Sequence, residues 1–445
     1  MHDAPPISLL ERYYDLISAS AGQFTQASAE FEPVMALPDL DVPMRQFLAP
    51  ASAQFFSLGH YHDVPLRLLD LRQNPATQTS KTFAATLIVA RAVRHIQDTG
   101  EPVLLFSPSS GNQAVALRDA VLRALQAGLA ERHHLRIITL TPQQTVNKLR
   151  RSELYECPEL RFLNPVFVLE HPTAEWVKRV AEEFKVLYHL RASTALRLWH
   201  AKCVDNYRFA DQARAFFDFE YGDAWDLDRR TLHVQAVSSA CGLLGYCSGI
   251  DALQRDGRRV ATPEFLLVQH LAGSDLVKHL LGGQFGEQQT PLYAPTDQGL
   301  WVQGRCAHFP ASTWNPHETL EPSLYSHVPP TAAEMTARVR SNGGSGIVVS
   351  LHECLQRYGE CARLLADTPV RLPNDPRELG EWSLVMALTG CLNALDRNLV
   401  VGVDSCTVHA SGSYAHSDYA CLPEDGYSRV RDAGEMLSLL SQTLF

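Results

Sequence analysis

The sequence predicts an α/β protein with mostly parallel sheets flanked by helices. Short β-branched or aliphatic runs alternate with helical patterns from about residue 100 onward, and polar, Gly or Pro residues bound each run. This alternation is typical of βαβ units around a parallel sheet. The chain has 445 residues, of which 45% are hydrophobic and 20% are charged. A chain of this size and composition can bury a large apolar core and does not need metal ions or disulfide bonds for stability.

The strand and helix predictions follow from residue periodicity. Strands are predicted, in chain order, at residues 103–106, 136–140, 166–169, 232–237, 265–269, 346–350 and 399–403. Helices are predicted at 113–129, where six aliphatic residues recur at helical spacing, and at 174–184, with Thr173 as the N-cap. Residues 282–330, rich in Gln, Pro, Thr and Ser, are the least regular segment and form either an ordinary surface loop or a lid over a site.

The charge balance argues against nucleic acid or an anionic membrane surface as a partner. The chain has 39 Lys and Arg against 49 Asp and Glu, a formal net charge of -10, which repels phosphate groups. The densest basic run, at residues 148–151, is followed at once by Glu153 and Glu156, so it is typical of a solvated helix surface.

The cysteine pattern predicts reduced thiols and no metal site. Ten cysteines are scattered from Cys157 to Cys421, without a C-x2-C pair or zinc-finger spacing. The printed sequence shows no signal-peptide pattern and no run of about 18 apolar residues. We therefore expect a cytoplasmic protein that does not enter a membrane.

A polar turn at residues 74–80 precedes Lys81, which is predicted to lie at the start of an apolar helix. The helix dipole disfavours an ammonium at that end, which suits an amine that acts as a nucleophile toward an aldehyde. Taken alone, the same lysine would more often be an exposed side chain.

Two further turns connect predicted strands to helices. Residues 107–114 (SPSSGNQA) follow the strand at 103–106, and residues 238–242 (SSACG) follow the strand at 232–237. Backbone N–H groups at the start of a helix and small side chains favour the binding of an anion. Both segments are also compatible with plain turn chemistry. Because Lys81 and Asn112 are separated by enough chain for one helix and one strand, both are expected at the same sheet edge.

The order of these motifs resembles the fold type II pyridoxal-phosphate enzymes, the tryptophan synthase β-subunit family, and within it the threonine synthase branch. Residues 62–66 (HDVPL) are similar to the family's G-N-T-P-L motif, 74–81 (NPATQTSK) to its N-P-T-G-S-F-K segment, and 110–112 to its S-G-N loop. Residues 141–149 resemble its strand-then-helix segment, and 237–242 fall where the family has its phosphate loop. Residues 206–217 (NYRFADQARAFF) are similar to the N-W-A-R-I-x-x-Q-x-x-Y-Y-F helix of threonine synthases.

The resemblance implies a role for each matching residue. Lys81 would be the Schiff-base lysine and would shuttle the α-proton, and Asn112 would bind the ring hydroxyl. Ser109, Ser110 and Gly111 would bind the substrate, and Ser238, Ser239, Ala240, Cys241 and Gly242 would hold the cofactor phosphate. The strand at 399–403 with the loop at 409–413 would place Ser411 at the pyridine nitrogen. A neutral hydroxyl there favours elimination or replacement over a long-lived carbanion.

The implied architecture has two domains with the cofactor between them. Residues 81–201 would form a small domain carrying the Ser-Gly-Asn loop, and residues 1–80 with 202–445 the large cofactor-binding domain. The implied reaction is elimination or replacement at the β or γ carbon of an amino acid, by a homodimer. Two departures from the family, Thr82-Phe83 after the lysine and one Gly in the phosphate loop where two are usual, lead us to expect that the substrate has diverged toward a specialised role. The alternative is a catalytically inactive protein of this fold that acts as a binding or regulatory partner.

Overall fold

The computed structural model describes residues 6–24, 30–191, 196–282, 291–320 and 329–444. The strands are β1 Ile7–Ser8, β2 Ser52–Tyr61, β3 Val64–Asp70, β4 Val103–Pro108, β5 Leu135–Pro142, β6 Val166–Leu169, β7 Arg197–Trp199, β8 Thr231–Ala236, β9 Glu264–His270, β10 Ala294–Pro295, β11 Trp301–Val302, β12 Ser312–Thr313, β13 Gly344–Val349, β14 Ser405–Ala410 and β15 Ser428–Val430. The helices are α1 Leu9–Arg12, α2 Tyr14–Ala19, α3 Val42–Leu48, α4 Lys81–Thr99, α5 Asn112–Gln126, α6 Glu153–Glu156, α7 Pro158–Leu163, α8 Trp176–Arg191, α9 Val204–Asp211, α10 Ala213–Tyr221, α11 Cys241–Arg255, α12 Asp275–Leu281, α13 Ala332–Asn342, α14 Leu351–Leu364, α15 Ser383–Asp396 and α16 Ala433–Leu444.

A seven-stranded sheet forms the centre of the larger part of the chain. Its strand order is β1-β2-β3-β14-β8-β9-β13, parallel from β3 to β13 and antiparallel at β1 and β2. Both faces are covered, one by α14 and α15 and the other by a core that includes α4, α10 and α11. Burial on both faces explains the near-continuous apolar runs in these strands. The predicted α/β class with mostly parallel sheets is confirmed.

A second sheet is parallel throughout, with the order β15-β6-β5-β4-β7. Strands β4 to β7 come from the predicted small domain, residues 81–201. Strand β15 and helix α16, however, come from the C-terminal residues that the sequence assigned to the large domain, and α16 packs on the same apolar cluster as α8. The chain therefore returns to the smaller sheet at its end.

The predicted strand at residues 399–403 is wrong. These residues form a turn in which Val401 is 66% exposed, and the strand β14 begins at Ser405. The aliphatic run misled the prediction because Val400 and Val403 pack into the apolar core from an irregular segment, whereas the more polar β14 is the strand buried between β3 and β8. Strands β2 and β3 were missed, since they precede the region in which the alternation was sought.

The irregular segment at 282–330 lies partly outside the described residues, which here are 282, 291–320 and 329–330. Residues 294–313 include a small antiparallel sheet of β10, β11 and β12. The backbone N–H of Val348 donates to the carbonyl of His308, so this sheet docks beside β13. Among residues 291–320, none lines the cavity described below. Within the described ranges, no helix combines the length and apolar character needed to cross a bilayer.

Candidate functional site

A cavity lies between the carboxyl ends of the two sheets. Parallel strands bring their carboxyl ends, and the loops that follow them, to one edge, which is where ligands bind in α/β proteins. The residues lining the cavity are Thr79, Ser80, Lys81, Ser109, Ser110, Asn112, Gln113, Lys148, Gln235, Ala236, Val237, Ser238, Ser239, Ala240, Cys241, Gly242, His270, Glu381, Ser383, Met386 and Ser411. Nearly all of the residues predicted from sequence meet here, although they come from four separate segments. Gly111 is the exception, because it is not among the residues that line the cavity.

Lys81 is the first residue of α4, as predicted. The turn before it is organised by Asn74, whose side-chain oxygen accepts from the N–H of Ala76 at 3.1 Å and whose carbonyl accepts from Gln78 at 2.8 Å. The Lys81 Nζ lies 5.1 Å from the centroid of the Tyr207 ring. Tyr207 belongs to the motif at 206–217, so this motif packs directly against the predicted nucleophile.

The Ser-Gly-Asn loop joins β4 to α5. The Ser109 Oγ accepts from the backbone N–H groups of Gly111 and Ala114, each at 3.2 Å, so this side chain caps the helix. Gly111 has a φ of +134°, and a Cβ there would lie 2.8 Å from the Cδ of Lys148. Glycine is needed at this position because it allows both the backbone conformation and the passage of the lysine.

Asn112 is held by two side chains that sequence reasoning missed. Its Oδ1 accepts from the Tyr414 hydroxyl at 2.7 Å, and its Nδ2 donates to the Glu381 Oε2 at 2.6 Å. The same carboxylate oxygen accepts from the Lys148 Nζ at 3.2 Å. An amide nitrogen has two hydrogens, so the bond to Glu381 uses one of the two donors of Asn112, which lines the cavity. The solvated surface predicted at residues 148–151 is wrong for Lys148, which is buried and lines the cavity. Lys148 and Glu381 are separated by 233 residues, and nothing local links them in the sequence.

The loop at 238–242 joins β8 to α11, which begins at Cys241. Ala240 has a left-handed φ of +53°, an unusual conformation for a residue with a Cβ. The Thr331 hydroxyl donates to the Ser239 carbonyl at 2.5 Å and fixes the loop. The first N–H groups of a helix have no partner within the helix, so this loop presents donors for an anion. Burial raises the pKa of the Cys241 thiol, which therefore stays protonated.

A buried cation lies directly behind this loop. A Cβ at Gly242 would lie 2.8 Å from the Nη1 of Arg214. The guanidinium donates to the Gln235 Oε1 at 3.1 Å and lies 2.7 Å from the Asp211 carboxylate. Its Nε is buried and has no hydrogen-bond partner among the described residues. Arg214 on α10 therefore brings a guanidinium, paired with Asp211, directly beneath the loop, and the sequence motif alone did not single it out.

A chain of buried polar groups lies between the centre of the large sheet and helices α10 and α11. The Nδ1 of His233 on β8 is 3.1 Å from the Nε2 of His409 on β14. The Tyr246 hydroxyl donates to Asp218 at 2.6 Å and lies 3.3 Å from His233. Burial lowers the pKa of both histidines, so each is neutral in the folded protein.

Ser411 lines the cavity just beyond the end of β14. Its carbonyl accepts from the Ser80 N–H at 2.8 Å and from the Thr79 hydroxyl at 3.1 Å. Ser411 and Lys81 therefore line one cavity, and hydrogen bonds from Ser80 and Thr79 connect their two segments. The strand before Ser411 was nevertheless misplaced in the prediction.

Comparison with known proteins places the chain in a family. Residues 6–444 match the model of a family described as a family of unknown function (DUF6002), and the chain belongs to this family. A comparison with curated proteins finds no match.

Solved structures share the fold at low sequence identity. The threonine synthase from Escherichia coli has a TM-score of 0.53 at 14% identity, covering 99% of this chain and 92% of that chain. The threonine synthase from yeast has a TM-score of 0.54 at 11% identity, covering 88% and 81%. A PLP-bound threonine synthase from Brucella melitensis has a TM-score of 0.52 at 10% identity, covering 85% and 78%. These likenesses confirm the predicted fold type II architecture.

Proposed function

We propose that this DUF6002 protein is a pyridoxal-phosphate-dependent enzyme that catalyses elimination or replacement at the β or γ carbon of an amino acid. The observation that carries the proposal is the placement of Lys81 at the start of α4, in a cavity that also contains an anion-binding loop and a hydroxyl beyond β14. These are the three features that the cofactor requires: an amine for its aldehyde, donors for its phosphate, and a partner for its ring nitrogen.

The residues present fit the cofactor. The N-terminus of α11 with Ser238 and Ser239 offers donors for the phosphate, and Arg214 beneath Gly242 supplies charge. The remaining hydrogen of Asn112 Nδ2 is available for the ring hydroxyl. Ser411 offers a neutral hydroxyl for the ring nitrogen. The altered phosphate loop thus keeps its donors and gains a nearby guanidinium, which favours a loaded enzyme over the inactive alternative.

When bound, pyridoxal phosphate withdraws electrons from the α carbon of an attached amino acid. The protein's own groups then control proton movement and solvent. With the cofactor bound, Lys81 would be the group that takes and returns the α-proton, since a lysine amine can serve both as nucleophile and as base. The N–H groups at the start of α5 are suited to hold the substrate carboxylate.

The experiment that tests the proposal is a substrate screen of the purified protein supplied with pyridoxal phosphate. Single amino acids with hydroxyl, acyl or sulfur substituents are added, and 2-oxo acid formation and the visible spectrum are followed. We expect at least one amino acid to be consumed by the wild-type protein and not by Lys81→Ala. Lys178→Ala, on α8 outside the cavity, is the matched control and retains activity. If no amino acid changes the spectrum or is consumed, the binding or regulatory alternative takes its place.

A further inference from the structure

The cavity contains a buried ion pair whose two members are both fixed by neighbouring groups. Lys148 is 6% exposed and Glu381 is 1% exposed. The Glu381 Oε2 accepts from Lys148 at 3.2 Å and from Asn112 at 2.6 Å. The other carboxylate oxygen accepts from the hydroxyl of Ser383 and from its backbone N–H at 3.3 Å. The methylene groups of Lys148 pack against Gly111, so the lysine has little freedom to move away.

The pair carries two opposite charges and is neutral as a whole. Burial alone would raise the pKa of Glu381, but the Lys148 ammonium and the hydrogen bonds from Ser383 and Asn112 outweigh it and hold the pKa below its ordinary value. Glu381 is therefore ionised at neutral pH. A buried carboxylate left without its cation is costly, so Lys148 is committed to Glu381.

Few other charges are available to a substrate. Of the described residues that line the cavity, the lysines are Lys81 and Lys148, and no arginine is among them. The pKa of His270 is lowered by burial to about 4, so this side chain is neutral. Under the proposed function Lys81 binds the cofactor. An anionic substituent on the substrate would therefore meet Lys148 only together with the Glu381 carboxylate.

A neutral substituent meets a different environment. Both polar atoms of the Gln113 amide, which lines the same cavity, are buried with no hydrogen-bond partner among the described residues. An unpaired buried amide is unfavourable, and a ligand that donates or accepts a hydrogen bond removes this cost. Hydroxyl and ester groups have this capacity without bringing a charge next to Glu381.

We infer that the Lys148–Glu381 pair selects amino acids whose β or γ substituent is uncharged, a hydroxyl or an O-acyl group, and rejects those that carry a phosphate. This inference rests on the proposed function and names the substrate class of that site. A phosphate dianion beside Glu381 would lie close to another negative charge in a weakly screened environment. The site therefore favours the binding of neutral substituents and disfavours the binding of a phosphate.

The test compares matched ligands on the protein loaded with pyridoxal phosphate. Dissociation constants are measured by calorimetry for L-homoserine, O-acetyl-L-homoserine and O-phospho-L-homoserine, and for the corresponding serine compounds. We expect the better of the two neutral ligands in each series to bind at least about tenfold more tightly than the phosphorylated one. In Glu381→Gln the ratio shifts toward the phosphorylated ligand by about tenfold, because the negative charge beside Lys148 is removed.

Controls keep the outcomes distinct. Glu159→Gln changes an exposed glutamate that bonds Arg132 far from the cavity, and it leaves the ratio as in the wild type. If Glu381→Gln fails to fold, the ratio of the dissociation constants of neutral and phosphorylated ligands in the wild type alone tests the inference. Tighter or equal binding of the phosphorylated ligands by the wild type overturns the inference, as does an unchanged ratio in a folded Glu381→Gln. Calorimetry detects ligand binding even if Lys81 carries no cofactor. Failure of the proposed function is therefore seen separately: after borohydride reduction of the protein with pyridoxal phosphate, peptide mass mapping would find no cofactor adduct on Lys81.

Discussion

The backbone N–H of Ser80 donates a 2.8 Å hydrogen bond to the carbonyl of Ser411. This bond joins the residue before Lys81 to the end of β14, at the centre of the large sheet. The Thr79 hydroxyl donates to the same carbonyl at 3.1 Å. Because two bonds converge on one carbonyl, the start of α4 and the loop after β14 are held in a fixed relation. The same backbone contacts therefore position both the Lys81 amine and the Ser411 hydroxyl of the proposed cofactor site.

Replacement of Gly111 by Ala is expected to destabilise the fold. The new Cβ would lie 2.8 Å from the Lys148 Cδ, on a residue with a φ of +134°. We expect the free energy of unfolding to fall by about 1–3 kcal/mol in urea denaturation. Gly359→Ala is the control, because Gly359 lies in α14 with nothing within 4 Å of its Cβ position. It should be neutral or stabilise by up to about 1 kcal/mol. Equal effects of the two substitutions would contradict the crowding seen at Gly111.

The charge behind the phosphate loop is expected to contribute to cofactor affinity. Arg214→Met alone would leave Asp211 buried and unpaired, so the double variant Asp211→Asn/Arg214→Met is the appropriate change. We expect its dissociation constant for pyridoxal phosphate to rise about tenfold, while that for pyridoxal, which has no phosphate, stays unchanged. Fluorescence titration of both ligands checks this. An equal loss for both ligands would show that the variant acts on the whole site and not on the phosphate.

The buried histidines are expected to make the protein labile in acid. Burial holds the pKa of both His233 and His409 below 6.5, so the folded state favours their neutral forms. Their contribution to stability is complete above pH 6.5 and is lost as the pH falls below it, because the unfolded chain binds the protons. Urea denaturation of His409→Gln should show a smaller loss of unfolding free energy between pH 7 and pH 5 than the wild type. His133→Gln, at an exposed position, should retain the wild-type loss.

The ionisation of Glu381 is expected to affect the free energy of unfolding at lower pH than the two histidines do. Its pKa lies below the ordinary value of 4.5, since Lys148, Ser383 and Asn112 together outweigh the effect of burial. The stability that this group supplies is present above about pH 4.5 and is lost as the pH falls toward the folded-state pKa. Glu381→Gln should therefore lose less unfolding free energy between pH 5 and pH 3 than the wild type. Parallel pH profiles for the two proteins would contradict the assigned ion pair.

Local sequence patterns predicted those parts of the site that are set by a turn and the helix after it. Lys81 begins α4 and Asn112 begins α5 because each follows a polar turn with its own hydrogen bonds. Glu381 could not be predicted in this way, since Lys148 and Asn112, which connect it to the site, come from distant segments and no motif surrounds it. The strand β14 was misplaced because it buries polar residues, among them Ser405 and His409, which contact polar groups of the neighbouring strand, whereas the aliphatic run before it reaches the core without forming a strand. Hydrophobicity alone cannot identify such a strand.

The measurement that tests the central claim most directly is borohydride reduction of the protein with bound pyridoxal phosphate, followed by peptide mass mapping. Lys81 and Lys148 both line the cavity, so the map distinguishes between two nearby amines. We predict a yellow protein whose reduced adduct lies on Lys81 and is absent from Lys81→Ala. A colourless protein, or an adduct on Lys148 with Lys81 unlabelled, would contradict the account.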